Sequence, residues 1–283
     1  NVILRIPLTV LTYIVLWIVG LLLGRLLAVC ALNSFKYIDN FNESLKVALR
    51  KLIVCGTQIT VFFLWVKLIE KRAIKSIGFQ AKRPLKTYII GFITGLGAIT
   101  VITAILTLIR AIKLQYHPVG NGYIVIDIGI IALGWMIQSA FEEIATRGWL
   151  IPRLGSHGSP LMAIIITAIL FGILHLFSSG VTVLSFLNLT LSGIFFAGYA
   201  IYNGNIWGVC GLHFSWNLAL GNIYGFPVSG YFANGKAILQ SQQIGSKLLT
   251  GGDFGPEGGL VTTILLLVGI AILVMKGKKK YVN

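Results

Sequence analysis

Charge is what this sequence has least of. Only 11% of its 283 residues are charged, and eight of them are Asp or Glu. A water-soluble globular protein carries about a quarter, so a soluble enzyme is excluded. Hydrophobic residues make up 56% of the chain and mean hydropathy is +0.88, which excludes a disordered polymer. The 33 glycines follow no fixed period, and a collagen-like repeat falls with them. Cysteine is scarce as well. Cys30, Cys55 and Cys210 all lie inside apolar runs, with neither a disulfide framework nor zinc-ligand spacing.

What is present is a succession of apolar runs of about 20 residues, the length a helix needs to cross a bilayer. Eight spans are expected, near 6–32, 48–69, 87–109, 123–147, 160–177, 182–202, 205–225 and 258–275. The expected fold is all-α, a polytopic membrane helical bundle of about eight transmembrane helices in a single membrane domain, 1–283. The first run is too long and too uncharged for a cleaved signal peptide.

The net charge of +15 gathers between these runs. Topology and anionic lipid headgroups explain it without nucleic acid. Lys67, Lys71, Arg72, Lys75, Lys82, Arg83 and Lys86 face the single acid Glu70, and the tail adds Lys276, Lys278, Lys279 and Lys280. An even number of spans puts both groups on one side, cytoplasmic by the positive-inside bias. Both termini are then expected in the cytoplasm of a multi-pass cell-membrane protein. A loop holding Lys36, Lys46, Arg50 and Lys51 would lie outside, against that bias.

The few acids can be weighed singly. Asp39, Glu43, Glu70, Asp253 and Glu257 fall in expected loops or span ends, and Asp127 near an interface. Glu142 and Glu143 remain, adjacent within the fourth run. A charge at the centre of a membrane helix costs about 2.5–3.5 kcal/mol on insertion scales, so two together require a reason. Glu143 and Arg147 are four apart and share a face, as a packing ion pair would. Glu142 points about 100° away, where Gln138 and Thr146 offer only hydrogen bonds.

His117 and His157 fall in loops. His175 ends Phe171-Gly-Ile-Leu-His175 in the fifth run, and His213 opens His213-Phe-Ser-Trp-Asn217 in the seventh. Rise per residue places Glu142, His213 and Asn217 roughly 12–18 Å above the inner helix ends, and His175 roughly 24 Å. A carboxylate beside an imidazole can take a proton from water. A His and an Asn on one helical face can donate to the oxyanion of an attacked carbonyl. One carboxylate and two imidazoles (Glu142, His175 and His213) could instead hold a Zn²⁺ that activates the water. Other intramembrane protease chemistries lack their motifs: no H-E-x-x-H, G-x-S-G or G-x-G-D occurs.

In these residues the sequence resembles the CPBP family of intramembrane proteases, also called the CAAX-protease or Abi family. Its E-E-x-x-x-R, F-x-x-x-H and H-x-x-x-N motifs read here as Glu142-Glu143-Ile-Ala-Thr-Arg147, Phe171 to His175 and His213 to Asn217. Arg147-Gly-Trp-Leu150, Pro152-Arg-Leu154 and Gly255-Pro-Glu-Gly-Gly259 look like the family too. The resemblance covers about 123–225, the expected catalytic core.

It implies an endopeptidase acting on a membrane-associated protein or peptide. Glu142 and His175 would activate water, His213 and Asn217 would stabilise the oxyanion, and Glu143 and Arg147 would support the site. The family is described both as metal-dependent and as using glutamate-activated water, so zinc stays open. Two alternatives stand beside hydrolysis: a non-catalytic bacteriocin-immunity or scaffold protein, and a proton-coupled transporter with a Glu/His relay.

Overall fold

The structure is a computed structural model that describes residues 2–33, 43–116, 124–232 and 237–282. Lys36, Asp39 and His117 lie outside the described residues, as do the side chains of Lys278, Lys279 and Lys280.

Each expected apolar run forms a helix. These are α1 (Val2–Asn33), α2 (Glu43–Leu64), α3 (Pro84–Leu108), α4 (Ile124–Glu143), α5 (Pro160–Leu174), α6 (Val183–Asn203), α7 (Trp207–Leu218) and α8 (Leu260–Val282). Six helical stretches are long and apolar enough to cross a membrane. Helix α5 has only 15 residues, and α7 has 12. The fold is a nearly all-α, polytopic helical membrane bundle, as expected.

Local chemistry sets the boundaries. Pro84 and Pro160 occupy first-turn positions, where a missing N–H costs nothing. The Ser159 hydroxyl accepts from the Met162 amide, and Thr182 with Ser185 forms a reciprocal cap on α6. Gly204 ends α6 with φ 67°, a conformation glycine adopts without strain.

Three helices do not stop where their α-helical geometry does. Wider π-type turns prolong α2 over Trp65–Ile69, α4 over Ile144–Leu150 and α7 over Ala219–Ile223. Helix α4 then resumes over Ile151–Gly155. Such turns collect at functional sites; one directly follows Glu143 and contains Arg147, and another begins two residues past Asn217.

Helices α3 and α7 make the closest crossing. A Cβ on Gly91 would collide with the Gly208 carbonyl, and one on Gly211 with the Tyr88 carbonyl. Small residues let backbones approach where lipid supplies no hydrophobic drive between helices. Further pairs are α1 with α2, α2 with α4, α5 with α6, α6 with α8, and α4 with α7.

One expectation needs correcting, and one element was not foreseen. Lys46, Arg50 and Lys51 are in α2 instead of a loop, because the apolar residues between them complete its first turns. Asp127 lies in the first turn of α4, near the span end, and is buried there against its neighbours. An antiparallel ribbon interrupts the all-α pattern: β1 (Ile112–Tyr116) pairs with β2 (Leu239–Gln243). It joins the α3–α4 and α7–α8 connections at one end of the bundle, the ribbon end. At the other, basic end, Gly78 accepts from the Ile206 amide and the Phe79 carbonyl from Trp207 Nε1. That contact ties the α2–α3 and α6–α7 connections together.

Candidate active site

Glu142 and Glu143 are adjacent in sequence and live in different surroundings. The Glu143 side chain is fully buried. Its Oε1 accepts from Arg147 Nη1 at 3.0 Å and lies 2.8 Å from His213 Nδ1. Arg147 also donates to the Thr146 hydroxyl at 2.9 Å and to the Gly193 carbonyl at 3.1 Å. Its guanidinium sits between the rings of Phe171 and Phe196, at 5.1 and 5.3 Å. Helices α4, α6 and α7 therefore meet on one charged knot.

The Glu142 side chain keeps 19% exposure and faces a cavity. Gln138 Nε2 donates to its Oε1 at 3.2 Å, and His213 Nε2 lies 3.8 Å from its Oε2. His213 thus stands between the two carboxylates. Because the Glu143 carboxylate accepts at Nδ1, the ring turns Nε2 toward Glu142 and the cavity.

His175 caps α5. Its Nδ1 lies 2.8 Å from the Phe171 carbonyl oxygen. A carbonyl only accepts, so Nδ1 carries the proton of the neutral ring and Nε2 is left with a lone pair. Asn217 is buried one turn beyond His213 and lines the same cavity. The structure thus brings Glu142, His175, His213 and Asn217 around one space of about 250 Å³.

A second cavity of about 260 Å³ adjoins the first. Gln138, Glu142, Phe171, His175 and Tyr231 line both. Glu142 therefore sits at a junction, with Tyr13, Trp17 and Cys55 of α1 and α2 lining the further side.

Two charged residues that line the cavity were not expected at the site. Lys51 Nζ donates to Gln138 Oε1 at 2.7 Å and lies over the Trp135 ring, so an ammonium is linked to Glu142 through one carboxamide. Glu257 accepts from Trp216 Nε1 at 2.9 Å and from the Ser229 amide and hydroxyl, which fixes the segment after α7 over the cavity. Its glycine-rich setting was a usable signal. The position of Lys51, on a helix remote in sequence from every motif, was not.

Glu142, His175 and His213 do not close into a metal set. Among the described residues no three His, Cys, Asp or Glu side chains do, so the arrangement does not fit a zinc centre.

Residues 124–219, 96 of the 283, match the family model described as Type II CAAX prenyl endopeptidase Rce1-like. No curated protein and no solved structure matches the chain. The matched stretch contains all three motifs and indicates a membrane protease. Over it, the chain is similar to the Rce1-like CAAX endopeptidases, in agreement with its resemblance to the CPBP family.

Proposed function

We propose that this protein is an intramembrane endopeptidase that cleaves a membrane-associated protein or peptide with a carboxylate-activated water. The observation that supports it best is the split of the glutamate pair. Glu143 is consumed by Arg147 and His213, while Glu142 is left toward a cavity that His175 also lines.

Water between Glu142 and His175 gives its proton to Glu142 while its oxygen bonds to the scissile carbonyl carbon. The carbonyl oxygen becomes an oxyanion, held by His213 Nε2–H and the Asn217 carboxamide. With Nδ1 also donating to Glu143, that role requires the imidazolium form of His213. Glu143 at Nδ1 and the oxyanion at Nε2 are the two acceptors that form needs. Collapse breaks the C–N bond, and Glu142 returns the proton to the departing amine. Cavities on both sides of Glu142 suit a chain that continues past the cleavage point.

The test is a quantitative peptidomic comparison of membranes holding wild type or Glu142→Ala at equal levels. Specific membrane-protein fragments should vanish with the variant and return with wild type. Matching peptidomes, with the wild-type phenotype intact in the variant, would overturn catalysis in favour of a binding role.

A further inference from the structure

The basic end of the bundle holds a cleft that the proposed reaction does not use. It measures about 720 Å³ and lies between the first turns of α1, the wide turn that closes α2 and the end of the α4 rod. Arg5, Arg72, Arg153 and His157 line it, with Glu70 the one acid on its wall. Glu70 is already engaged. Arg72 Nε and Nη2 donate to it at 2.8 and 2.6 Å, Trp149 Nε1 donates at 3.1 Å, and Arg153 Nε lies 3.8 Å away. Three guanidiniums against one carboxylate leave the cleft positive.

The cleft does not end in solvent alone. Trp65 and Ile69 line both it and an adjoining groove of about 260 Å³. The rest of that groove is Leu16, Val61, Leu64 and Leu68. Leu64, Leu68 and Ile69 are exposed on the protein surface, which on a membrane helix means toward lipid tails. A positive polar cleft thus opens into an apolar channel along the α1–α2 pair. A phospholipid is polar at one end and apolar along its length in the same order. A free phosphate would need only the cleft.

We propose that this is a binding site for an anionic phospholipid of the leaflet at the basic end. Arg5, Arg72 and Arg153 hold its phosphate, and one acyl chain lies against Trp65 and Ile69. The site is separate from the cavities around Glu142 and stands whether or not the chain is a protease.

The experiment adds phosphatidylglycerol, phosphatidylcholine or inorganic phosphate to the purified full chain in detergent. It reads thermal stability, and retained lipid by native mass spectrometry. Phosphatidylglycerol should raise the melting temperature and remain bound, and phosphatidylcholine should do neither. In Arg5→Gln/Arg153→Gln, two exposed positions, apparent phosphatidylglycerol affinity should fall at least about tenfold. Affinity unchanged in the double variant would overturn the proposal, as would equal stabilisation by inorganic phosphate. Should the double variant fold poorly, the single Arg153→Gln serves. Retention of phosphatidylcholine as strong as phosphatidylglycerol in wild type also counts against the site.

Discussion

Glu142 and Glu143 differ by one position and should fail in opposite ways when altered. Glu142 faces a cavity and is paired only loosely, at 3.8 Å from His213 Nε2, so Glu142→Gln should cost far less thermal stability than loss of Glu143. It should lower turnover of the identified substrate by about 10²–10⁴-fold, the usual weight of a general base. Glu143→Gln instead leaves Arg147 buried without its countercharge. Stability should fall by about 3–5 kcal/mol, read from unfolding in detergent. Asn217→Ala should reduce kcat by about 10²–10³-fold with little change in KM, because an oxyanion donor acts in the transition state.

His157 provides a titration readout at the same scale. Desolvation, then the guanidiniums of Arg153 and Arg5, lower its pKa from the ordinary value. The folded protein therefore binds that proton less readily than the unfolded chain. Its contribution to stability is full above about pH 6.5 and is lost as the pH falls through the folded value. Phosphatidylglycerol in the cleft should move the His157 titration upward, as followed by NMR of the ring in nanodiscs. Phosphatidylcholine should leave it in place.

Among the elements, what could be read in advance follows from period and length. Apolar runs of bilayer length announce helices. The i,i+4 spacings announced that Glu143 could reach Arg147 and that His213 and Asn217 share a face. The β1–β2 ribbon gave no such sign: its partners are more than a hundred residues apart, and Leu239–Gln243 is mostly polar. The wide turns after Glu143 and Leu218 are also silent in composition, since packing against neighbours selects them. Lys51 was misplaced for a related reason, as a cation near a helix start reads as surface until α4 is packed on it. The α3–α7 crossing carries its own prediction. Gly211→Val would force a branched side chain into the Tyr88 carbonyl. It should abolish the monodisperse folded fraction in size-exclusion chromatography, while Gly97→Val, with open space where its Cβ would sit, should not.

For the whole molecule, the ribbon and the basic segment mark opposite ends. Cysteines placed at Ser76 and Gln242, both exposed, should therefore react with an impermeant thiol reagent from opposite sides of sealed vesicles. Labelling from one side would refute the helical arrangement. Ser229 and Glu257, beside the cavity, belong to the ribbon end, away from the basic cleft.

Helix α5 matters most at this scale. At 1.5 Å per residue its 15 residues reach about 22 Å, short of the roughly 30 Å of hydrocarbon in a bilayer. A hydrolase in oil is starved of its commonest reactant, and the short helix ends at a residue, His175, that lines the same cavity as the carboxylate. Lipids gathered around α5 must thin to meet it. Bilayer thickness thereby becomes a control on hydration: reconstituted in longer-chain lipids, the protein would keep its fold and its substrate and still turn over more slowly, for want of water.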